Sequence, residues 1–345
     1  MTPSPPCDDW HGAATPRELM PLRCLKLKTG AAVLASACAL VSVGGWAADI
    51  DAPPEWASKH SEAAIDPAIV AAVDASGRSI DVAALALRLR SARYVLLGEI
   101  HDDAVQHHLR AAVLRELLAD GRPTWLVFEQ IDREHNAALA AAGRDTEDVV
   151  SAGQLDKKGW RWPLHRPLFD AALAGGASVV GGNLSRAEAS LVVRGGVAQA
   201  PADLQRWLTA PDPADGSPSA AWTATQDALL RQQVDAGHCG ALPPAMIAPM
   251  ALAQRARDAA LAAAMRGAPP GVRVVLIAGN GHVRRDIGVP HYLAAAPDGI
   301  VSIAFLERGG DGRTVPDGPY DEAWFTAPLE RPDPCATFHP PGVVR

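Results

Sequence analysis

Glutamate and histidine stand together where apolar runs of this chain break off. The run Tyr94-Val-Leu-Leu-Gly98 leads into Glu99-Ile-His101-Asp102-Asp103, and Val274-Val-Leu-Ile-Ala-Gly279 leads into Asn280-Gly-His282. A third run, Trp125-Leu-Val-Phe, ends directly on Glu129. Carboxylates and imidazoles are what a general acid–base pair needs, and equally what a metal ion bound through oxygen and nitrogen needs. The first use would take the two histidines, His101 and His282, with Glu99 or Glu129 to activate water. The second points to Glu99, His101, Glu129 and His282 as ligands of a divalent metal. A plainer use is also open: Glu99 and Asp102 would cap the next helix, where the macrodipole favours negative charge. For Asp102 or Asp103 the cap is the preferred reading. Carboxylates and imidazoles delivered by separate strands to one edge are more specific than any single residue.

The surrounding pattern supplies that edge. A short apolar run closed by glycine is what a buried parallel strand looks like as it leaves a sheet, and ligands of open α/β sheets bind outside the carboxyl ends of the strands. Strand patterns over 95–97, 125–128, 178–180, 272–278 and 300–306 alternate with helical patterns over 82–89, 106–118, 134–142 and 168–174. The expected fold class is therefore α/β, a mostly parallel sheet flanked by helices. From about 200 to 268 the pattern is wholly helical and reads as a lid-like insertion before the sheet resumes. Residues 48–345 are expected to form one domain. The tail after Glu307, rich in Gly, Pro and Asp, is expected to wrap the surface loosely.

The chain of 345 residues is mildly acidic, with a formal charge of −7 and no long basic tract, so nucleic acid is not expected as a partner. Arg23, Lys26 and Lys28 precede an apolar run over 31–43 and the small-residue step Gly45-Trp-Ala47, the pattern of a secretory signal peptide cleaved after Ala47. Met20 is the expected true start, so 1–47 is read as signal peptide behind a mis-assigned start. Ala35-Ser-Ala-Cys38 also resembles a lipobox, so lipid anchoring at Cys38 is a second reading. Export would place the protein in the periplasm or at the outer-membrane surface. Cleavage leaves Cys239 and Cys335, which an oxidising compartment would allow to pair; sequence alone does not show whether they do. A serine elbow, HExxH and a phosphate loop are all missing from the sequence.

The runs Leu96-Leu-Gly-Glu-Ile-His-Asp102 and Ile277-Ala-Gly-Asn-Gly-His-Val-Arg284, the latter followed by Gly288-Val-Pro290, resemble the paired signatures of ChaN-type haem-binding uptake proteins. That superfamily also holds the Tiki and TraB proteins and the erythromycin esterases. Trp160-Arg-Trp-Pro-Leu-His165 with Pro167-Leu168, Gly181-Gly-Asn183-Leu, and His238 with Ala253-Gln-Arg-Ala-Arg-Asp258 extend the resemblance, which runs from about 94 to 293. It implies an α/β sheet with a helical subdomain, bacterial export, haem as cofactor and a role in iron acquisition. Outer-membrane haem-uptake components are then the expected partners, and a homodimer is compatible. The esterases' catalytic positions correspond to His101, Glu129 and His282. Where the family often has Tyr after its Trp-Pro pair this chain has His165, which keeps a haem-ligating type.

The resemblance makes His101, His165, His238, His282, Arg284 and Tyr292 the expected haem contacts. Three of these have a bland alternative. His165 would be a surface histidine beside Pro167, His238 a helix cap, and Arg284 and Arg285 solvated charges instead of propionate partners. Trp160 and Trp162 would line an apolar ligand face or simply fill core. Three functions follow: an exported haem-binding protein, a periplasmic hydrolase using His and Glu with or without a metal, and a binding module without iron chemistry.

Overall fold

The structure is a computed structural model that describes residues 72–79, 81–209, 221–293, 299–333 and 335–336. The signal-peptide stretch, Met20 and Cys38 lie outside the described residues. Among those residues, no helix is long and apolar enough to cross a membrane.

The strands are β1 (Tyr94–Leu97), β2 (Thr124–Asp132), β3 (Ser178–Asn183), β4 (Arg273–Ile277), β5 (Ile300–Glu307) and β6 (Glu322–Thr326). They form one sheet in the order β3-β2-β4-β1-β5-β6, with every pairing parallel. The helices are α1 (Val82–Leu89), α2 (Ala104–Leu118), α3 (Asn136–Ala141), α4 (Thr146–Ala152), α5 (Arg166–Ala174), α6 (Arg186–Gly195), α7 (Ala202–Leu208), α8 (Ala224–Gly237), α9 (Pro244–Arg266) and α10 (Asn280–Val283).

Two-residue alternation decides which layer each strand side chain joins. Val95, Leu97, Leu126, Phe128, Val275 and Ile277 pack under α1, α2 and α5, while Tyr94, Leu96, Val127, Val274 and Leu276 pack under α7 and α9. Both faces are covered, which is why these strands read as unbroken apolar runs. The alanines of α9 let that helix lie close on the sheet. A side-chain carbon at Gly182 would come within 2.8 Å of Leu261. The block expected as a lid therefore supplies a packing layer, since α9 covers β2, β3 and β4. The tail expected to wrap loosely instead adds β6, pairing Phe305 with Trp324 and Leu306 with Phe325.

Register explains why one edge collects the polar residues. Leu97 pairs with Ile277, and Ile277 with Phe128, so β1 and β4 end level with Phe128, while β2 runs on through an irregularity to Asp132 and Glu129 lies within that strand instead of ending it. The next residues are Gly98-Glu99, Ala278-Gly279 and Glu129. Gly98 is required there by close approach, because a side-chain carbon would overlap the Asn280 amide and lie 2.8 Å from Val283. Asn280 in turn bonds both backbone groups of Phe305, donating to its carbonyl at 2.6 Å and accepting from its amide at 3.1 Å. Cys239, in the turn between α8 and α9, forms a disulfide with Cys335, their Cα atoms 5.5 Å apart.

Candidate functional site

Glu99 is the hub of the carboxyl edge. Its side chain is fully buried, and Oε1 accepts from His101 Nδ1 at 2.8 Å, His165 Nε2 at 3.1 Å and Gln130 Nε2 at 3.1 Å. The other oxygen faces the guanidinium of Arg110, which is also fully buried. Asp103 caps α2 by accepting from the Gln106 amide, which fixes where that helix starts. His107 and Arg110, one turn apart on α2, then project beneath the hub. His107 Nε2 donates to the His101 carbonyl at 3.1 Å, leaving Nδ1 to accept from Arg110 at 2.8 Å. Burial pulls His107 down to about 4 and Arg110 down to about 9, so at neutral pH the histidine is neutral and the arginine charged. Burial, together with the neighbouring His107 and Arg110, also lowers His165, which stays neutral.

His101 differs from its neighbours in access. Its side chain is 48% exposed, while those of Glu99, His107 and His165 are at 0%. Donation from Nδ1 to Glu99 fixes the tautomer and leaves the Nε2 lone pair with no partner among the described residues. The ring packs on Gly279, where a side-chain carbon would meet it at 2.9 Å, and its edge meets Trp160 with centroids 5.1 Å apart.

A second chain of contacts adjoins the first. His282 lies between two buried carboxylates, with Nδ1 2.6 Å from Asp258 and Nε2 3.2 Å from Glu129. The remaining Glu129 oxygen accepts from the Gly279 amide at 2.7 Å. Burial alone would lower His282, but the two carboxylates push it up to about 10, so it is an imidazolium. Burial would raise Glu129, yet the His282 charge, with hydrogen bonds from His282 and the Gly279 amide, holds it well below the usual carboxylate range. For Asp258 burial wins, raising it to about 6.

This arrangement makes a signed prediction. The folded value of His282 lies above its ordinary 6.5, so its contribution to stability is complete below that pH and fades as pH climbs toward 10. Between pH 7.5 and 9 Glu129, Asp258 and the buried neutral histidines no longer titrate in either state. Denaturant stability should therefore fall with pH in that window, and His282→Gln should flatten the slope. Equal slopes in both proteins would contradict the imidazolium.

The structure thus brings Glu99, His101, His165, Glu129 and His282 to one edge, but in different states from those expected. The four expected metal ligands do not form one donor cluster, since Glu129 and His282 fall outside the group that Glu99 and His101 make. Glu99 already has Arg110 on one oxygen and three donors on the other. Donor atoms of Glu99, His101 and His165 do lie within 4.8 Å of one another. A divalent ion there would face the Arg110 guanidinium and displace the donors that hold the hub. His165 is neither on the surface nor within reach of a bulky ligand, being fully buried against His107 with ring centroids 4.2 Å apart.

The other expected contacts are committed elsewhere. His238 closes α8, with Nδ1 donating to the Val234 carbonyl at 2.6 Å. Arg284 grips Asp286 at 2.8 and 3.0 Å and donates to the Asp317 carbonyl at 2.6 Å, so it does not await a propionate. Arg285 pairs with Asp321. Tyr292 is core, its hydroxyl accepting from Arg255 at 3.1 Å, and burial pushes it up to about 12. His107, Arg110 and Gln130 escaped the sequence reading, and Asp258 entered it only as the end of a matching helical stretch, without a role. The one available signal was an acid, Asp258, inside the alanine stripe of α9.

Residues 85–293 match the family model described as haem-binding uptake, Tiki superfamily, ChaN. A solved ChaN from Campylobacter jejuni, titled for cofacial haem binding, superposes with a TM-score of 0.59 at 18% identity, covering 74% of this chain and 96% of that one. A mutant of the erythromycin esterase EreC in its open conformation gives 0.37 at 15% identity, covering 72% and 79%. No curated protein matches the sequence significantly.

Proposed function

Because this chain belongs to the ChaN family of haem-binding uptake proteins in the Tiki superfamily, we propose that it binds haem, with His101 as the residue that would hold the iron. The family match over residues 85–293 carries this reading, and the donor set at the sheet edge fits it. Haem iron accepts a neutral imidazole, and His101 is the half-exposed one whose tautomer presents Nε2. Glu99 holds the ring in place, Arg110 and Gln130 hold Glu99, and Trp160 packs against the imidazole edge. Bound haem would supply a ferric or ferrous iron centre; the chain supplies orientation, through the buried Glu99, Arg110 and Gln130 that hold the His101 ring. Tyr292, buried and neutral, is a poor source of phenolate.

Export and a part in iron acquisition, with outer-membrane uptake components as partners, complete the proposal. They rest on the signal-peptide pattern of 1–47 and on the family. The hydrolase alternative is weakened by His282, which as an imidazolium is no general base. Titrating the purified chain with haemin tests the reading. A saturable Soret shift is expected, and a spectrum equal to free haemin at every ratio would end it.

A further inference from the structure

We propose that the Cys239–Cys335 disulfide latches a C-terminal strap across the rim of the His101 site, and that reducing this bond opens the rim. The strap begins where β6 ends. Thr326 sits within 3.3 Å of both Asp103 and Gln106, at the start of α2. The chain then crosses the end of β5, where the Leu329 amide donates to Glu307 at 3.3 Å. Arg331 next grips Glu307 at 2.6 and 3.0 Å and reaches Asp102 at 3.2 Å, beside His101. Asp102 also receives Arg161, from the loop whose Trp160 touches the His101 ring. Four residues beyond Arg331, Cys335 is bonded to Cys239 in the turn between α8 and α9. The segment is thus fixed at one end by the sheet and at the other by the helical block, and its middle braces the loop that presents His101.

Relative strengths identify the disulfide as the latch. Residues 327–333 are exposed or half-buried and bring no fully buried side chain to the strap. Its ion pairs are partly solvated, with Arg331 26%, Asp102 21% and Glu307 15% exposed, so each is weak and screened by salt. The covalent bond closes a loop of 96 residues and dominates them. Without it, a segment poor in buried apolar contacts opens at low cost. The chemistry balances with a dithiol reductant. Its two thiols give up two electrons and two protons, the Cys239–Cys335 bond becomes two thiols, and the reductant becomes a disulfide.

Opening of the rim does not depend on the haem reading; its consequence for ligand release rests on that reading. The test uses the full chain in three forms: oxidised, reduced with dithiothreitol, and Cys239→Ser/Cys335→Ser. Hydrogen exchange should quicken about tenfold or more over 99–103 and 327–333 in the second and third forms, with β4 unchanged. Haemin transfer to apomyoglobin should accelerate by a similar factor. Unchanged exchange over 99–103 with both thiols titratable would overturn the latch, as would exchange that rises equally in β4, the mark of a general staple. If the double variant does not fold, the reduced wild type decides. If haemin binds neither form, the exchange result still judges the latch and only the haem reading falls.

Discussion

Replacing His101 with alanine is expected to weaken haemin binding by more than about 100-fold while leaving the fold intact. Loss of outer-shell partners of a metal-bound histidine already costs about 10- to 100-fold, and loss of the ligand itself should cost more. The fold should tolerate the change because the side chain is half exposed, and Glu99 would keep Arg110, His165 and Gln130. His165→Ala is the instructive contrast. It empties a buried position, so it should lower the melting temperature and affect binding only as far as Glu99 relaxes. Optical titration and thermal melts of both variants check the pair. Affinity lost in His165→Ala but kept in His101→Ala would reverse the assignment.

The largest stability effect is expected at Glu99. Glu99→Ala would leave the Arg110 guanidinium buried without its counter-charge, and breaking a buried ion pair from one side costs about 3–5 kcal/mol. Removing both charges costs far less, because an apolar pair of similar volume often replaces a buried ion pair without penalty. Glu99→Ala should therefore be much less stable than Glu99→Leu/Arg110→Met. Urea unfolding of the two variants and the wild type measures the difference. A loss below about 1 kcal/mol for Glu99→Ala would show that water reaches Arg110 and that the hub is not dry.

Parallel strands that leave a sheet at glycine must deliver the next residues to one edge, so Glu99, Glu129 and His282 could be grouped before any coordinates. The register that puts Leu97, Ile277 and Phe128 level was hidden, because it depends on pairings between distant segments. Protonation was hidden for the same reason. Nothing local to His282 shows that it lies between Asp258 and Glu129. His107 and Arg110 read as ordinary helix charges until α2 is seen packed between α1, α5 and the sheet. His165 lies among Arg, Trp and Pro, a setting that looks like surface, yet it turns inward to donate a hydrogen bond to Glu99 and pack on His107. Strand β6 is five residues long within a Gly- and Pro-rich tail, too short a signal to stand out. Arg284 follows His282 in the chain, but Asp286 two residues later captures it. Haem itself came from resemblance in the two glycine–histidine signatures, not from the pattern of charges.

The most direct measurement is electron paramagnetic resonance with nuclear hyperfine detection on haemin-loaded protein carrying 15N-histidine. Strong coupling from an imidazole nitrogen of the protein is expected, lost when His101 becomes Ala. A spectrum with no histidine nitrogen coupling, or one that keeps it in His101→Ala, would rule out His101 as the residue that holds the iron.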